Sequence, residues 1–118
     1  MKDLLKDKSL DFSIDIVQLN KQLIEEKKEF VLSKQIMRSG TAIGALIREA
    51  KYGESPKDFK HKLSIALKEA NETQYWLELL LQTQFISHQH YTQLNLKLNE
   101  LLKLLVSSIK TIQQKTLF

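Results

Sequence analysis

Apolar side chains recur every three or four residues along four long stretches of this 118-residue sequence. Because an α-helix makes a turn in about 3.6 residues, this spacing places the apolar side chains on one helical face. Residues that interrupt helices are scarce, with three Gly and one Pro in the whole chain. The sequence therefore predicts an all-α protein built from long helices.

The four predicted helices cover residues 9–26, residues 31–51, residues 56–85, and residue 88 to near the C-terminus. Gly53 is expected to end the second helix in a left-handed conformation, and Ser55 and Pro56 are typical of the N-cap and first residue of the third. Ser87 is expected to cap the fourth helix. Short connections favour antiparallel neighbours. We therefore predict one domain, residues 1–118, folded as an up-down-up-down antiparallel four-helix bundle.

Two glycines, Gly40 and Gly44, lie one turn apart inside the second predicted helix. Gly costs about 1 kcal/mol relative to Ala in a helix interior, so both positions need a reason. A missing side chain lets a neighbouring helix approach closely. A phosphate-binding loop would instead require Gly, four residues and then Gly-Lys, which the sequence lacks. We expect both glycines to face or flank a helix contact.

Some large apolar residues fall away from the main apolar faces, among them Leu96 and Leu104 on the fourth helix. A second strip of this kind runs along the second and third helices and includes two acids, which could pair with basic residues of another subunit or border the strip. Such a strip is typical of a subunit interface. We predict that its members lie between copies of the chain: Leu46, Ile65, Glu69, Glu72, Trp76 and Leu79.

The sequence lacks a recognisable catalytic or metal-binding pattern. His88 and His90 are two residues apart, so on a helix they cannot form the i, i+4 pair of a helical metal site. Glu69 and Glu72 have no Glu-x-x-His partner of the kind that di-iron bundles use. The chain has no Cys, which removes thiolate ligands and cysteine nucleophiles. We predict no enzymatic activity, no cofactor and no metal ion.

The absence of Cys is typical of proteins in a reducing compartment. The N-terminal residues alternate charges with short apolar pairs, unlike a signal peptide, and the longest uncharged stretch is broken by polar residues. We expect a cytoplasmic protein that does not span a membrane.

Positive charge is concentrated in the middle of the chain. Residues 30–68 carry eight Lys or Arg and three acids, whereas residues 1–29 have a net charge of −1 and residues 69–118 are neutral. We predict that a basic face on the second and third helices binds nucleic acid through Lys34, Arg38, Arg48, Lys57, Lys60 and Lys68. The alternative is a solvated basic surface on a structural or protein-interaction oligomer.

Two residues near this basic face have more than one interpretation. Arg38 could contact phosphate, or it could form a buried interfacial ion pair with Glu69 or Glu72. Tyr75 is the nearest aromatic residue, and we expect it to pack on the helix surface rather than to stack on bases.

Three segments carry a resemblance to a known family: residues 32–44 (LSKQIMRSGTAIG), 47–50 (IREA) and 58–80 (DFKHKLSIALKEANETQYWLELL). They resemble the signature of the bacterial four-helix-bundle proteins known as 23S ribosomal RNA intervening-sequence proteins. The resemblance covers the second and third helices, about half of the chain. One departure is Leu46, which stands where the family commonly has Asn.

The family is similar to the accessory variability determinant proteins of diversity-generating retroelements. Those proteins form basic homopentameric barrels that bind nucleic acid and the retroelement reverse transcriptase. The resemblance therefore implies a homopentamer that associates with RNA or DNA, and with a reverse transcriptase where one is encoded beside it. It implies an accessory module rather than an enzyme.

Overall fold

The computed structural model describes residues 3–116, which form four α-helices and, within that range, no strand. Their bounds are Leu4–Glu25 for α1, Leu32–Lys51 for α2, Pro56–Gln82 for α3 and His88–Thr116 for α4. Each helix packs against two others, in the cyclic order α1, α2, α3, α4, and diagonally opposite helices in the described chain make no close backbone approach. The all-α four-helix fold is as predicted.

One apolar core runs through the bundle and takes side chains from every helix. Each helix contributes residues at the predicted three- and four-residue spacing, and four positions at the centre are fully buried: Phe12, Ile43, Leu77 and Leu98. Burial of a large apolar side chain contributes about 1.5–3 kcal/mol. The four apolar faces identified in the sequence therefore account for the packing of the bundle.

Gly40 and Gly44 lie where α2 crosses α1, as expected. A Cβ atom added to Gly40 would stand 2.9 Å from Cγ1 of Ile16, closer than side chains normally come. At Gly44 the nearest atom would be the Oγ of Ser13, at 3.3 Å. The two glycines thus allow α1 and α2 to approach closely, and the approach is tighter at Gly40.

The expectation that Gly53 ends α2 in a left-handed conformation is wrong. No glycine in residues 3–116 has a positive φ. An added Cβ at Gly53 would instead be crowded, at 2.7 Å from Oδ2 of Asp58, a side-chain atom that can shift, and at 3.1 Å from the Ala50 carbonyl oxygen. The left-handed residues are Lys28 and Gln84, with φ of 54° and 66°, just beyond the ends of α1 and α3.

The helix beginnings follow from side-chain caps. Ser55 and Ser87 accept hydrogen bonds from the backbone N–H groups three residues later, at 3.1 Å and 3.0 Å, as predicted. Helix α1 begins earlier than predicted because Asp3 accepts from the Lys6 N–H at 3.1 Å. Each cap satisfies a backbone donor that the helix itself leaves unpaired.

Helix α2 begins with a cap that the sequence reasoning did not identify. The Glu29 carboxylate accepts hydrogen bonds from three successive N–H groups, those of Val31, Leu32 and Ser33, at 3.2, 3.1 and 2.7 Å. Helix α3 ends at Gln82 rather than near residue 85, because the Phe85 N–H turns back to the Leu80 carbonyl at 2.9 Å. That bond closes a Schellman-type end.

Candidate nucleic-acid interface

The contact between α2 and α3 holds a polar cluster on its outer side. The Arg38 guanidinium donates to Glu69 at 3.1 Å and also pairs with Glu72, and the Trp76 indole N–H donates to the same Glu72 carboxylate at 2.9 Å. Beneath this cluster, in the buried interior, the Thr73 hydroxyl donates to the Ser39 hydroxyl at 2.9 Å. These bonds fix the position of α3 against α2.

Arg38 is therefore engaged by two carboxylates of its own chain. Its side chain is 51% exposed, and those of Glu69 and Glu72 are 21% and 37% exposed, so in the single chain the ion pair is solvated rather than buried. Exposed ion pairs contribute about 0–1 kcal/mol. The geometry provides the ion pair that one interpretation of Arg38 required, and phosphate would have to compete with Glu69 and Glu72 for the guanidinium.

The apolar residues predicted for a subunit interface are half-buried in the single chain. Leu46 and Trp76 pack against the core of their own bundle. The lone chain therefore does not leave these residues fully in water, because α2 and α3 partly cover each other's flanks. Ile65 and Leu79 are half-buried on α3, on the side that faces α2.

The structure does not bring the six predicted basic residues together. Lys34 and Arg48 are exposed on the outside of α2, and Arg48 lines a shallow cleft with Ser9 and Ser13 of α1. Lys60 lies about four helical turns before Gln74, whose amide contacts α4, and therefore on the side of α3 nearer α4.

Lys57 lies one turn before Lys60, and Lys68 lies two turns after it on the outer surface of α3, where its neighbour one turn on, Glu72, already points toward α2. The predicted set therefore divides into a pair on α2 and a row of three on α3. The groove that contains Arg38 separates the two groups.

Two lysines of α4 were missed by the sequence reasoning. The Gln74 amide donates to Asn95 and Asn99 at 3.4 and 3.5 Å, which identifies the side of α4 that faces α3. Lys103 and Lys110 follow Asn99 at helical spacing, so they share that side, and both are exposed. The signal in the sequence is the i, i+4, i+11 spacing of Asn99, Lys103 and Lys110.

On the opposite side of α4, Lys97 closes the contact with α1. Its ammonium donates to Asp11 at 2.8 Å and to Asp15 at 2.7 Å. These hydrogen bonds, to Asp11 first and then Asp15, raise the pKa of Lys97. Lys97 is therefore held in an internal ion pair and is not available to a ligand in the way that Lys103 and Lys110 are.

Across residues 3–116, no three His, Asp or Glu side chains are grouped so that they could hold a metal ion. His61 and His88 are exposed and His90 is half-buried. In the same range, no helix has the length and apolar character needed to cross a membrane.

The model of the 23S rRNA-intervening sequence protein family matches residues 3–107. The chain belongs to that family. It is also similar to a crystal structure of a protein of unknown function from the S23 ribosomal protein family of Bacteroides thetaiotaomicron. The two sequences are 58% identical, the match covers 90% of this chain and 98% of the other, and the TM-score is 0.89. No curated protein matches this chain.

Membership of the family confirms the resemblance carried by residues 32–44 and 58–80, and the match extends it to the first and fourth helices. The relation to accessory variability determinant proteins stays a prediction. The four-helix fold and the family are therefore established, and what the protein does has to be argued from its surface.

Proposed function

We propose that this protein is a non-enzymatic, oligomeric accessory module that binds RNA or DNA with little sequence preference. The observation that carries the proposal is a set of exposed or half-buried basic side chains that have no ion-pair partner among residues 3–116: Lys34, Arg48, Lys57, Lys60 and Lys68. Unpaired Lys and Arg side chains can neutralise phosphates and release their counterions.

Five other basic side chains are already neutralised. Lys8, Lys51, Lys62 and Lys97 each pair with a carboxylate, as Arg38 does. Because these pairs cancel much of the acidic charge as well, the net charge of +4 resides largely on the unpaired lysines and Arg48. These unpaired side chains, on α2 and on α3, are the candidates for contact with a polyanion.

Self-association would strengthen such binding. A ring of copies presents several weak sites to one polyanion, and each further contact then occurs at high effective concentration. We propose that the interface includes the outer side of the α2–α3 contact, where Ile65 and Leu79 are half-buried beside Trp76. The family resemblance favours five copies.

The same strip supports a second candidate function, a structural or protein-interaction oligomer with no role for nucleic acid. Half-buried apolar residues on α3 favour an interface in either case, so the oligomeric state alone does not separate the two functions. Binding of nucleic acid does.

The test is fluorescence anisotropy of a labelled RNA hairpin and a labelled DNA duplex titrated with protein at low and at moderate salt. The proposal predicts binding of both at low salt and a steep loss of affinity as salt rises. A variant with Lys57, Lys60 and Lys68 changed to Ala should bind more weakly at unchanged molar mass. Absence of wild-type binding at low salt would leave the structural oligomer as the function.

A further inference from the structure

The lysines on the α4 side of α3 form part of a continuous polar row. Lys57, Lys60, Ser64, Lys68 and Asn71 follow one another at intervals of three or four residues, which places them along one side of the helix. Each is exposed or half-buried, and this part of the row contains no acid. Helix α3 therefore presents a strip of positive charge about 20 Å long on its outer surface, which lies nearer α4 at Lys60 and turns toward α2 at Lys68.

A matching row on α4 runs beside it in the opposite direction. Gln74 contacts Asn95 and Asn99, so α3 and α4 are level at that point. Because the helices run in opposite directions, Lys68, six residues before Gln74, is level with Lys103, six residues after the midpoint of the two asparagines. The same count puts Lys60 level with Lys110. Packed helices lie about 8–10 Å apart, so the four lysines stand at two levels, here called rungs, on the outer side of the contact. The rungs are separated by about 12 Å along the helix axis.

The nearby acids are directed elsewhere. Glu69 and Glu72 point toward α2, where they hold Arg38. Glu100 pairs with Lys8 of α1 at 2.5 Å. Glu78 lies on the α4 side of α3, but beyond Gln74 and away from the two rungs. The four lysines thus have no ion-pair partner among residues 3–116, although proteins usually intersperse surface charges of both signs.

The surface between the rungs is not uniformly polar. On α4, Leu102 and Val106 line a shallow groove of about 550 Å³ together with Lys103 and Lys110, and all the residues of this groove belong to α4. Tyr75 extends the α3 row at its other end. Its ring meets the Trp76 ring edge-on with centroids 5.0 Å apart, and the residue is 58% exposed. The contact with Trp76 is the packing on the helix surface that the sequence predicts, and the exposed remainder of the ring can stack on an unpaired base.

We propose that this α3–α4 face, with Lys60, Lys68, Lys103 and Lys110 at its centre, is the surface that binds the nucleic acid. The separation of the rungs corresponds to about three to four nucleotides along one strand of a duplex, so a single strand can contact both. The inference rests on the proposed function and makes it specific. Lys103 and Lys110 contact phosphate, and Lys34 and Arg48 on the far side of the α2–α3 groove do not.

A pair of charge-matched variants tests the assignment. One carries Lys103→Gln and Lys110→Gln, and the control carries Lys34→Gln and Arg48→Gln. Each variant loses two positive charges from exposed side chains that have no ion-pair partner in the described chain, so both should fold and assemble as the wild type does. Circular dichroism and light scattering verify this before binding to a labelled single-stranded RNA is measured over a range of salt concentrations.

The α4 variant should bind about tenfold or more weakly at low salt, and its slope of log K against log salt should fall by about 1.4, the value for two lost contacts to a single strand. The control should retain its slope and lose only the small part of the affinity that depends on net charge. An equal or larger effect in the control would overturn the assignment.

The remaining outcomes separate this inference from the proposed function. If the wild type binds no nucleic acid at low salt, both fail together. If it binds and the α4 variant is unchanged, only the assignment of the face fails. A molar mass altered in the α4 variant alone would identify the face as a subunit contact. Polyglutamate that binds as tightly as RNA would indicate an acidic protein partner. The altered molar mass and the tight binding of polyglutamate would each contradict the proposal.

Discussion

Replacement of Gly40 by Ala should destabilise the protein even though Ala favours helix. The helix-propensity gain is about 1 kcal/mol. Against it, the new Cβ would stand 2.9 Å from Cγ1 and 3.0 Å from Cγ2 of Ile16, which is fully buried and therefore has little freedom to move. Overpacking of this kind costs about 1–3 kcal/mol. We expect the free energy of unfolding to fall by about 1 kcal/mol, within the range of about 0–2 kcal/mol that those two terms set.

Gly44→Ala is the matched control, one turn away on the same helix. There the nearest atoms are Oγ of Ser13 at 3.3 Å and two atoms of Ser9 at 3.5 Å. The Ser13 hydroxyl can rotate away, so little of the propensity gain is lost. Gly44→Ala should therefore be neutral or stabilising by up to about 1 kcal/mol.

Urea and thermal unfolding at one fixed protein concentration measure both effects. For a chain of this length, 1 kcal/mol corresponds to a Tm change of about 4 °C. The reasoning is refuted if Gly40→Ala is more stable than the wild type, or if the two substitutions have the same effect. A double-mutant cycle with Ile16→Ala adds a second check, because room made at Ile16 should turn the Gly40→Ala change favourable.

Four further results are expected. Glu29→Ala should lower the free energy of unfolding by about 1–2 kcal/mol, since it removes the cap of α2, whereas the same change at the exposed Glu26 should have little effect in urea unfolding. Gly53→Ala should destabilise by about 1–3 kcal/mol through crowding against a backbone carbonyl, and an unchanged Tm would contradict this. The two carboxylate partners of Lys97 raise its pKa, so its ion pair stabilises the fold fully below the unfolded pKa of about 10.4, and this stabilisation is lost as pH rises through the folded pKa. Lys97→Met should remove that part of the alkaline loss of stability, measured by urea midpoints. Tyr75→Leu should weaken single-stranded RNA binding about fivefold and leave duplex binding unchanged, and equal losses for both would exclude stacking.

Most of the fold could be predicted from the sequence because the buried face of each helix appears there as a regular spacing of apolar residues. The apolar residues from Phe12 to Leu23, for example, specify a buried face without reference to any other helix. The helix ends were less predictable. Glu29 caps α2 from outside the helix, three residues before Leu32, whereas Ser, Thr, Asn or Asp at the N-cap is the usual signal. The space around Gly53 depends on where Asp58 comes to lie.

The candidate site could be predicted only in part, because the net charge of a sequence segment differs from the charge of any one surface of the folded chain. Residues 69–118 are neutral in sequence, and this concealed Lys103 and Lys110. In the structure, Glu69 and Glu72 face α2 and Glu100 faces α1, so their charges do not offset those two lysines. The partner of Arg38 was among the sequence alternatives, but the choice required the relative placement of α2 and α3.

Site-specific photocrosslinking tests the central claim most directly. A photoreactive amino acid replaces exposed Asn71, in the row of α3 that faces α4, or exposed Ala45, between Lys34 and Arg48 on α2. Each protein is irradiated with labelled single-stranded RNA at low and at moderate salt. The account predicts a salt-sensitive crosslink from position 71 and little or none from position 45. Efficient crosslinking from position 45 with none from position 71 would contradict it.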